Sequence, residues 1–559
     1  MTTVPFMKCD TDETAISGLP HPPVLVRAGE TEAAQQAVRR WFPRDVEPTT
    51  GNSVVAYAYG KCAFADIGAA LATATQPDHR IYLIGWGTDV DTSLRPGATP
   101  ETLRGLLRSA KGQIRALFWA NPEDPPDPEA GSSADAHAFI NALPHGASVL
   151  DDKLPQLQVY GPVRSKLGGG IHHQKLVVVY GSQGLIAFTG GMDLNSSRLY
   201  EGPGKVNSPL HDVHVRVAGP AAYQLLRVFS DRWLDLPAAQ DLDLRKLKML
   251  RQQVQADFER INTAYPKITR TIPTCTGWTR NASMAVAVGR TFAYLDRHTA
   301  PKRTYAFAPY GDDTAWQLVK AAVEGAREHL YIEDQYLVST RLRKLLAAKL
   351  AEPQFKFLLI LACPTRVFEP SPVLVAYRPD GTPYVPNEFP YSIGARNDYR
   401  AAFSAIDPGR TRWRIFHLTA ARDEERKKAC GAYLHSKLII ADDEYVVTGS
   451  ANADDRGYTY DSEIMVGLTD DVTGRADGQR FARDLRVSLW HKHLGLPHAQ
   501  LADWPAGLAF WRKPPASAMV VDASDLEDSP MLGGKKLLSA DPGALEKWQK
   551  FIDPDGFAP

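Results

Sequence analysis

Two short patterns in the chain carry the residue types that could do chemistry: His173-Gln174-Lys175 and His435-Ser436-Lys437. In a strand, residues two apart project from the same face, so each pattern presents an imidazole and an ammonium together. The residues that follow, Leu176–Val179 and Leu438–Ile440, are apolar, so each strand starts at a polar edge and runs into a core. One copy would mean little. Two copies brought to a common pocket supply two imidazoles and two cations. That set suits phosphodiester chemistry: the cations neutralise non-bridging oxygens, one imidazole attacks phosphorus, and the other protonates the leaving oxygen. A nucleophilic imidazole needs its other ring nitrogen held by an acceptor, which a carboxylate does well. Asp212 in HDVHVRV and Glu463 in DSEIMVG stand at matching places downstream of the two histidines.

The elements that must position these residues come twice, in the same order. A helix-like stretch and an apolar strand, RIYLIGWGTD near residue 80, are repeated as HLYIEDQYLVS near residue 330. A second apolar strand follows each, QIRALFWANP and FKFLLILACPT, then the His-x-Lys strand, then a glycine turn, FTGGMDLN or VTGSANAD. Each series closes on an amphipathic helix with a tryptophan near its end, LLRVFSDRWL or FARDLRVSLW. So long a period argues for a duplicated domain rather than a solenoid. Alternating helix and strand patterns give an α/β fold with a mixed or mostly parallel sheet. The expected layout is an N-terminal extension (1–50), a first half (50–235), a helical connector (236–280), a second half (280–495) and a C-terminal surface extension (496–559). The stretch 377–399, rich in Pro, Gly and Tyr, reads as a long loop within the second half. Trp86 and Glu333-Asp334 sit at the ends of matching strands, where core or capping roles are expected.

The paired patterns resemble the signature of the phospholipase D superfamily, a duplicated HxKxxxxD followed by a GG or GS turn. The second copy is complete, with His435, Lys437, Asp442, Gly449, Ser450 and Asn452. The first keeps His173, Lys175, Gly190 and Gly191 but has Tyr180 where the motif places Asp. HHQK, GGMDL, HDVHVRVAGP, YIEDQY and SANADDR are most similar to eukaryotic-type phospholipases D, over residues 55 to 495 or so. The resemblance implies two pseudo-twofold related sandwich halves flanked by helices, with one site between them. It implies His173 as nucleophile, His435 as general acid/base, and Asp212 and Glu463 orienting them. Lys175, Lys437 and Asn452 would hold phosphate, with Asp193 at the position matching Asn452. The implied reaction hydrolyses the distal phosphodiester of a glycerophospholipid through a phosphohistidine, giving phosphatidic acid and an alcohol, with transphosphatidylation to added alcohols. A nuclease, another phosphodiesterase or a phosphatidyltransferase would use the same residues. Tyr180 lies an odd number of residues from Lys175, hence on the other strand face, and reads as a structural substitution. Were it disabling, a non-catalytic binding module would remain.

Bulk properties narrow the field. Lys+Arg and Asp+Glu both total 64, so the net charge is zero, and no global basic surface favours nucleic acid. The partner implied by the resemblance is a phospholipid at a membrane or micelle surface, met by a monomer. Five scattered cysteines without a CxxC suggest neither a zinc site nor a disulfide framework, though one pair could form. No metal and no cofactor are expected. No run reaches the roughly 18 apolar residues needed to cross a bilayer. The N-terminus lacks a basic-then-apolar leader, so a cytoplasmic location, with signal-independent secretion as a variant, is expected.

Overall fold

The structure, a computed structural model, describes residues 40–58, 60–95, 101–120, 133–151, 170–199, 210–236, 278–295, 304–363, 388–418, 433–470 and 480–526, with a few isolated shorter pieces. In the first half, β1 (Thr49–Tyr57) is followed by α1 (Gly60–Leu71) and β2 (Arg80–Gly85). Then come α2 (Leu103–Ser109), β3 (Gln113–Trp119), α3 (Ser133–Ala142) and β4 (Gly146–Asp151). The half closes with β5 (Leu176–Gly181), β6 (Gly184–Gly190), β7 (His214–Ala218) and α4 (Pro220–Leu234). The second half repeats the series with β8 (Trp278–Thr291), α5 (Thr314–Gly325), β9 (His329–Asp334), α6 (Thr340–Ala351) and β10 (Phe357–Ala362). It continues through α7 (Glu388–Ile406), β11 (Trp413–Leu418), β12 (Lys437–Ala441), β13 (Tyr445–Gly449), β14 (Glu463–Asp470) and α8 (Phe481–Leu494). Helix α9 (Trp504–Arg512) and strand β15 (Val520–Asp522) follow.

The strands form one sheet in the order β15-β11-β10-β9-β12-β13-β14-β8-β1-β7-β6-β5-β2-β3-β4. Read outward from the central β8–β1 pair, the two sides match strand for strand, with β15 as the one addition. The duplication is thus written in the topology. The sheet is mixed. Parallel pairing joins β2 to β3, β3 to β4, β9 to β10 and β10 to β11. The central pairings, β5–β6 and β6–β7 among them, are antiparallel and outnumber the parallel ones. Close connections such as Gly181 to Gly184 permit only a hairpin, whereas parallel neighbours need a crossover.

Strands β5, β12 and β14 are buried on both faces, so their sequences run apolar instead of alternating. One core is shared by both halves and contains Leu176, Val178, Leu438 and Ile440 with Phe229 and Trp233 of α4 and Trp490 of α8. Two further cores lie under α1–α3, within the first half, and under α5–α7, where Trp41, Phe42 and Val46 join the second half. Gly219, at φ +126°, makes the reversal from β7 into α4, which opens with Pro220 in the first turn.

Two expectations are corrected. Backbone read as loop within 377–399 is helical from Glu388. It leads to Arg396, which is buried and donates to the carbonyls of Gln335, Tyr336 and Cys363, and to Tyr399 and Phe403 in the core. The C-terminal stretch read as a surface wrap sends Trp504, Leu508 and Trp511 into the shared core. Proline and glycine in WPAGLAFWR mask that helical face in the sequence. The two halves, related as expected, join edge to edge through β1 and β8 into one sheet. The connector lies almost wholly outside the described residues. Cys62 is disulfide-bonded, with a partner outside the described residues, and Cys363 is free and buried. Among the described residues, no helix is long and apolar enough to cross a membrane.

Candidate active site

The site forms where the lead-in to each His-x-Lys strand meets the opposite half. His172 bridges to Ser462, the His173 N–H donates to the Ser462 carbonyl (3.0 Å), and Ser462 N–H donates back to Ile171 (3.0 Å). In the other half Tyr433-Leu434 pairs with Leu210-His211, and the His435 N–H donates to the His211 carbonyl (2.7 Å). Each histidine is thereby set beside the carboxylate of the other repeat. Nδ1 of His173 lies 2.8 Å from Oε1 of Glu463, and Nδ1 of His435 lies 2.7 Å from Oδ2 of Asp212. The two dyads cross between halves.

The glycine turns seat the carboxylates. A Cβ at Gly191 would fall 2.3 Å from Oδ1 of Asp212, so only glycine leaves room there. At the matching position Ser450 donates its hydroxyl to Glu463. Each carboxylate is held by its own half and serves the histidine of the other.

Lys175 and Lys437 are buried, and each ammonium donates to the carbonyl of its own motif histidine. Their other partners differ. Lys175 Nζ lies 3.3 Å from Oδ2 of Asp193 and 5.7 Å from the Trp86 ring, whereas Lys437 donates to Oε1 of Gln335 (3.0 Å). Burial lowers both ammonium pKa values, that of Lys437 to about 8. Burial, reinforced by the neighbouring lysines, drives His173 and His435 well below the usual imidazole value. Burial also pushes Asp212 and Glu463 up to about 7. Each dyad therefore gains or loses its proton near neutrality as a unit. The His173 side chain is 13% exposed and that of His435 4%. His173 is the more accessible of the two.

Asp193 does not fit the phosphate role expected of it. Its Oδ1 accepts from the N–H groups of Trp86 (2.7 Å) and Gly87 (3.1 Å), and Lys175 holds it below the carboxylate range against the effect of burial. An ionised carboxylate has no donor to offer a phosphate oxygen. Asp193 instead anchors Lys175. Asn452, at the matching place, is buried with its Oδ1 unpartnered. Asp442 accepts from the N–H groups of Arg327, Glu328 and His329 at 2.7–2.9 Å, where β9 begins, at the strand end remote from Lys437. Tyr180 replaces that brace in the first half and packs beside His79, likewise away from Lys175.

Sequence reasoning undervalued Glu333. It is fully buried and accepts from Tyr331 (2.5 Å), His493 (2.9 Å), His211 (2.7 Å) and Ser436 (2.7 Å). Ser436 adjoins His435 and His211 adjoins Asp212, so one carboxylate braces both members of that dyad from behind. Lys492 donates to Nδ1 of His211 (2.7 Å) and fixes its tautomer. His211, Glu333 and His493 are a type of set that can hold a metal ion. Here the imidazole nitrogens already bond to the carboxylate, and hydroxyls take its remaining lone pairs. The signal available in the sequence was a glutamate inside an apolar strand, where the first half has Ile84. Asp334 is a cap, accepting from Tyr336, Leu337 and Ala453.

Comparison with known proteins adds four matches. A family model described as Phospholipase D matches residues 391–513. Phospholipase D alpha 2 of Oryza sativa subsp. japonica is 23% identical over 79% of this chain and 64% of its own length. Phospholipase D beta 1 of Arabidopsis thaliana is 24% identical over 79% of this chain and 49% of its own length. The chain thus spans about half to two thirds of the length of these curated relatives. Among solved structures, a phosphatidylserine synthase from Haemophilus influenzae aligns over 87% of this chain and 97% of its own, at 11% identity and a TM-score of 0.46.

Proposed function

We propose that the chain is a phospholipase D-type phosphodiesterase of the superfamily its sequence resembles, and that it cleaves the distal phosphodiester of glycerophospholipids. The observation that carries this reading is the pair of crossed imidazole–carboxyl dyads flanked by two buried lysines. A dyad that has lost its proton presents a lone pair at Nε2; one that keeps it presents Nε2–H. One proton shared between two dyads therefore makes one imidazole a nucleophile and the other an acid.

His173, the more exposed, attacks phosphorus through Nε2 while His435 gives its Nε2 proton to the departing head-group oxygen. The P–O bond breaks and a phosphohistidine forms. Water then gives its proton to His435 and attacks phosphorus, the P–N bond breaks, and phosphatidic acid leaves. A primary alcohol in place of water gives a transferred phosphatidyl product. Lys175, Lys437 and Asn452 take the charge that builds on the non-bridging oxygens. The test is incubation with mixed phospholipids and a primary alcohol, with products identified by mass. Phosphatidic acid together with a phosphatidyl alcohol is expected, and neither should form with His173→Ala. Absence of both from the wild-type reaction defeats the reading.

A further inference from the structure

Arg198 ends the short 3-10 turn Ser196–Arg198 that follows the Gly190-Gly191 turn and Asp193. Its backbone is pinned: the N–H donates to Asn195 (3.0 Å), and a Cβ on Gly60 would sit 2.8 Å from its carbonyl oxygen. Its side chain is not. The Nε is buried without a partner, and among the described residues no hydrogen bond or ion pair engages the guanidinium. The matching turn of the second half offers a direct contrast, because Arg456 there closes a two-point pair with Asp461 at 2.7 and 2.9 Å. Buried arginines elsewhere are similarly engaged, Arg216 with Asp66, Arg232 with Asp151 and Arg486 with Asp443. Holding a guanidinium partly out of water without a protein partner is costly unless a ligand completes it. The Arg198 turn follows closely on Asp193, the partner of Lys175, and its charge is felt by His435, Asp212, Lys437, Lys175 and Asp193.

We propose that Arg198 is a substrate-binding residue whose guanidinium grips the non-bridging oxygens of the scissile phosphodiester beside Lys437. The chemistry of the pocket calls for such a group. Lys175 shares its charge with Asp193, whereas Lys437 hydrogen-bonds the neutral amide of Gln335 and is not held by a carboxylate. The non-bridging oxygens carry the negative charge of the transition state, and a planar guanidinium fork fits two of them in a fixed bidentate geometry that a rotating ammonium does not impose. The inference rests on the phosphodiesterase reading above, and it adds a residue that neither His-x-Lys pattern contains.

The test uses the full chain as wild type, Arg198→Gln and Arg198→Lys, with two readouts. The first is the rise in Tm produced by inorganic phosphate, which reports binding without turnover. The second is kcat/KM on phospholipids with a neutral or a carboxylate-bearing head group. Arg198→Gln should weaken phosphate binding at least about tenfold and lower kcat/KM about a hundredfold or more on both head groups. Arg198→Lys should recover only part of each loss and secures the test should the glutamine variant fold poorly. Phosphate binding equal to wild type in both variants overturns the assignment. So does a loss confined to the carboxylate-bearing head group, which would place Arg198 on the leaving alcohol. A wild type that neither binds phosphate nor cleaves any phospholipid defeats the functional reading itself, a result separable from those two.

Discussion

Exchanging Glu463 for glutamine tests the crossed wiring directly. The side chain keeps its size and can still take the Ser450 hydroxyl, but the carboxylate 2.8 Å from Nδ1 of His173 is gone. Without it His173 loses both the acceptor that sets its tautomer and the charge that stabilises its cation. Removal of an orienting carboxylate of this kind costs about 10³–10⁴ in rate, or about 4–5.5 kcal/mol of barrier. Asp212→Asn should cost a similar factor through His435, 2.7 Å away. The two losses differ in kind. A substrate with a p-nitrophenolate leaving group needs no acid, so it should rescue Asp212→Asn as it rescues His435→Ala. It should not rescue Glu463→Gln or His173→Ala. Single-turnover kinetics on the natural-type and activated esters, with phosphohistidine trapped by acid quench, would sort the four variants into two pairs. Glu463→Gln grouping with His435→Ala would refute the crossed dyads, whichever histidine is the nucleophile.

Three further outcomes follow from the same geometry. The proposed mechanism needs one dyad without its proton and the other with it, and burial pushes both Asp212 and Glu463 up to about 7. Activity should fall as pH drops below neutrality, where the nucleophile dyad stays protonated, and fall again as pH rises, where the acid dyad is emptied; a kcat/KM profile flat from pH 5 to pH 9, or monotonic, would contradict this. Tyr180→Asp should leave the rate within about tenfold, roughly 1.4 kcal/mol, while Asp442→Ala removes the acceptor of three backbone donors, one of them part-buried, and should lower stability by about 1–2 kcal/mol in urea unfolding. Equal losses of activity from Tyr180→Phe and Lys175→Ala would show that the tyrosine acts on substrate. Glu333→Ala leaves Lys492 without its counter-charge and two imidazoles without an acceptor, and should destabilise by about 3–5 kcal/mol; an unchanged Tm would show that the buried network is idle.

The sequence by itself determined the duplication, the α/β class and the residue types of the site, because each of these is local. A strand's period of two places His173 with Lys175 and His435 with Lys437, and a repeated order of elements needs no contact map to be seen. It also put Tyr180 on the strand face opposite Lys175, since that too follows from strand parity. It did not show the helix at Trp504–Arg512, whose proline and glycine hide an apolar face that only burial reveals. Nor did it show which carboxylate serves which histidine. Asp212 follows His173 in the chain, yet the pairing of Leu434 with His211 and of His172 with Ser462 delivers each carboxylate to the other half. Asp193 looked equivalent to Asn452 because the turns align; the N–H groups of Trp86 and Gly87, brought in by a different strand, turned it into an anchor for Lys175. The common reason is that charge and hydrogen-bond partners are set by distance in space. Side-chain parity along a strand is carried by the backbone and legible in order, whereas the company a buried carboxylate keeps is decided by which segments the sheet brings side by side.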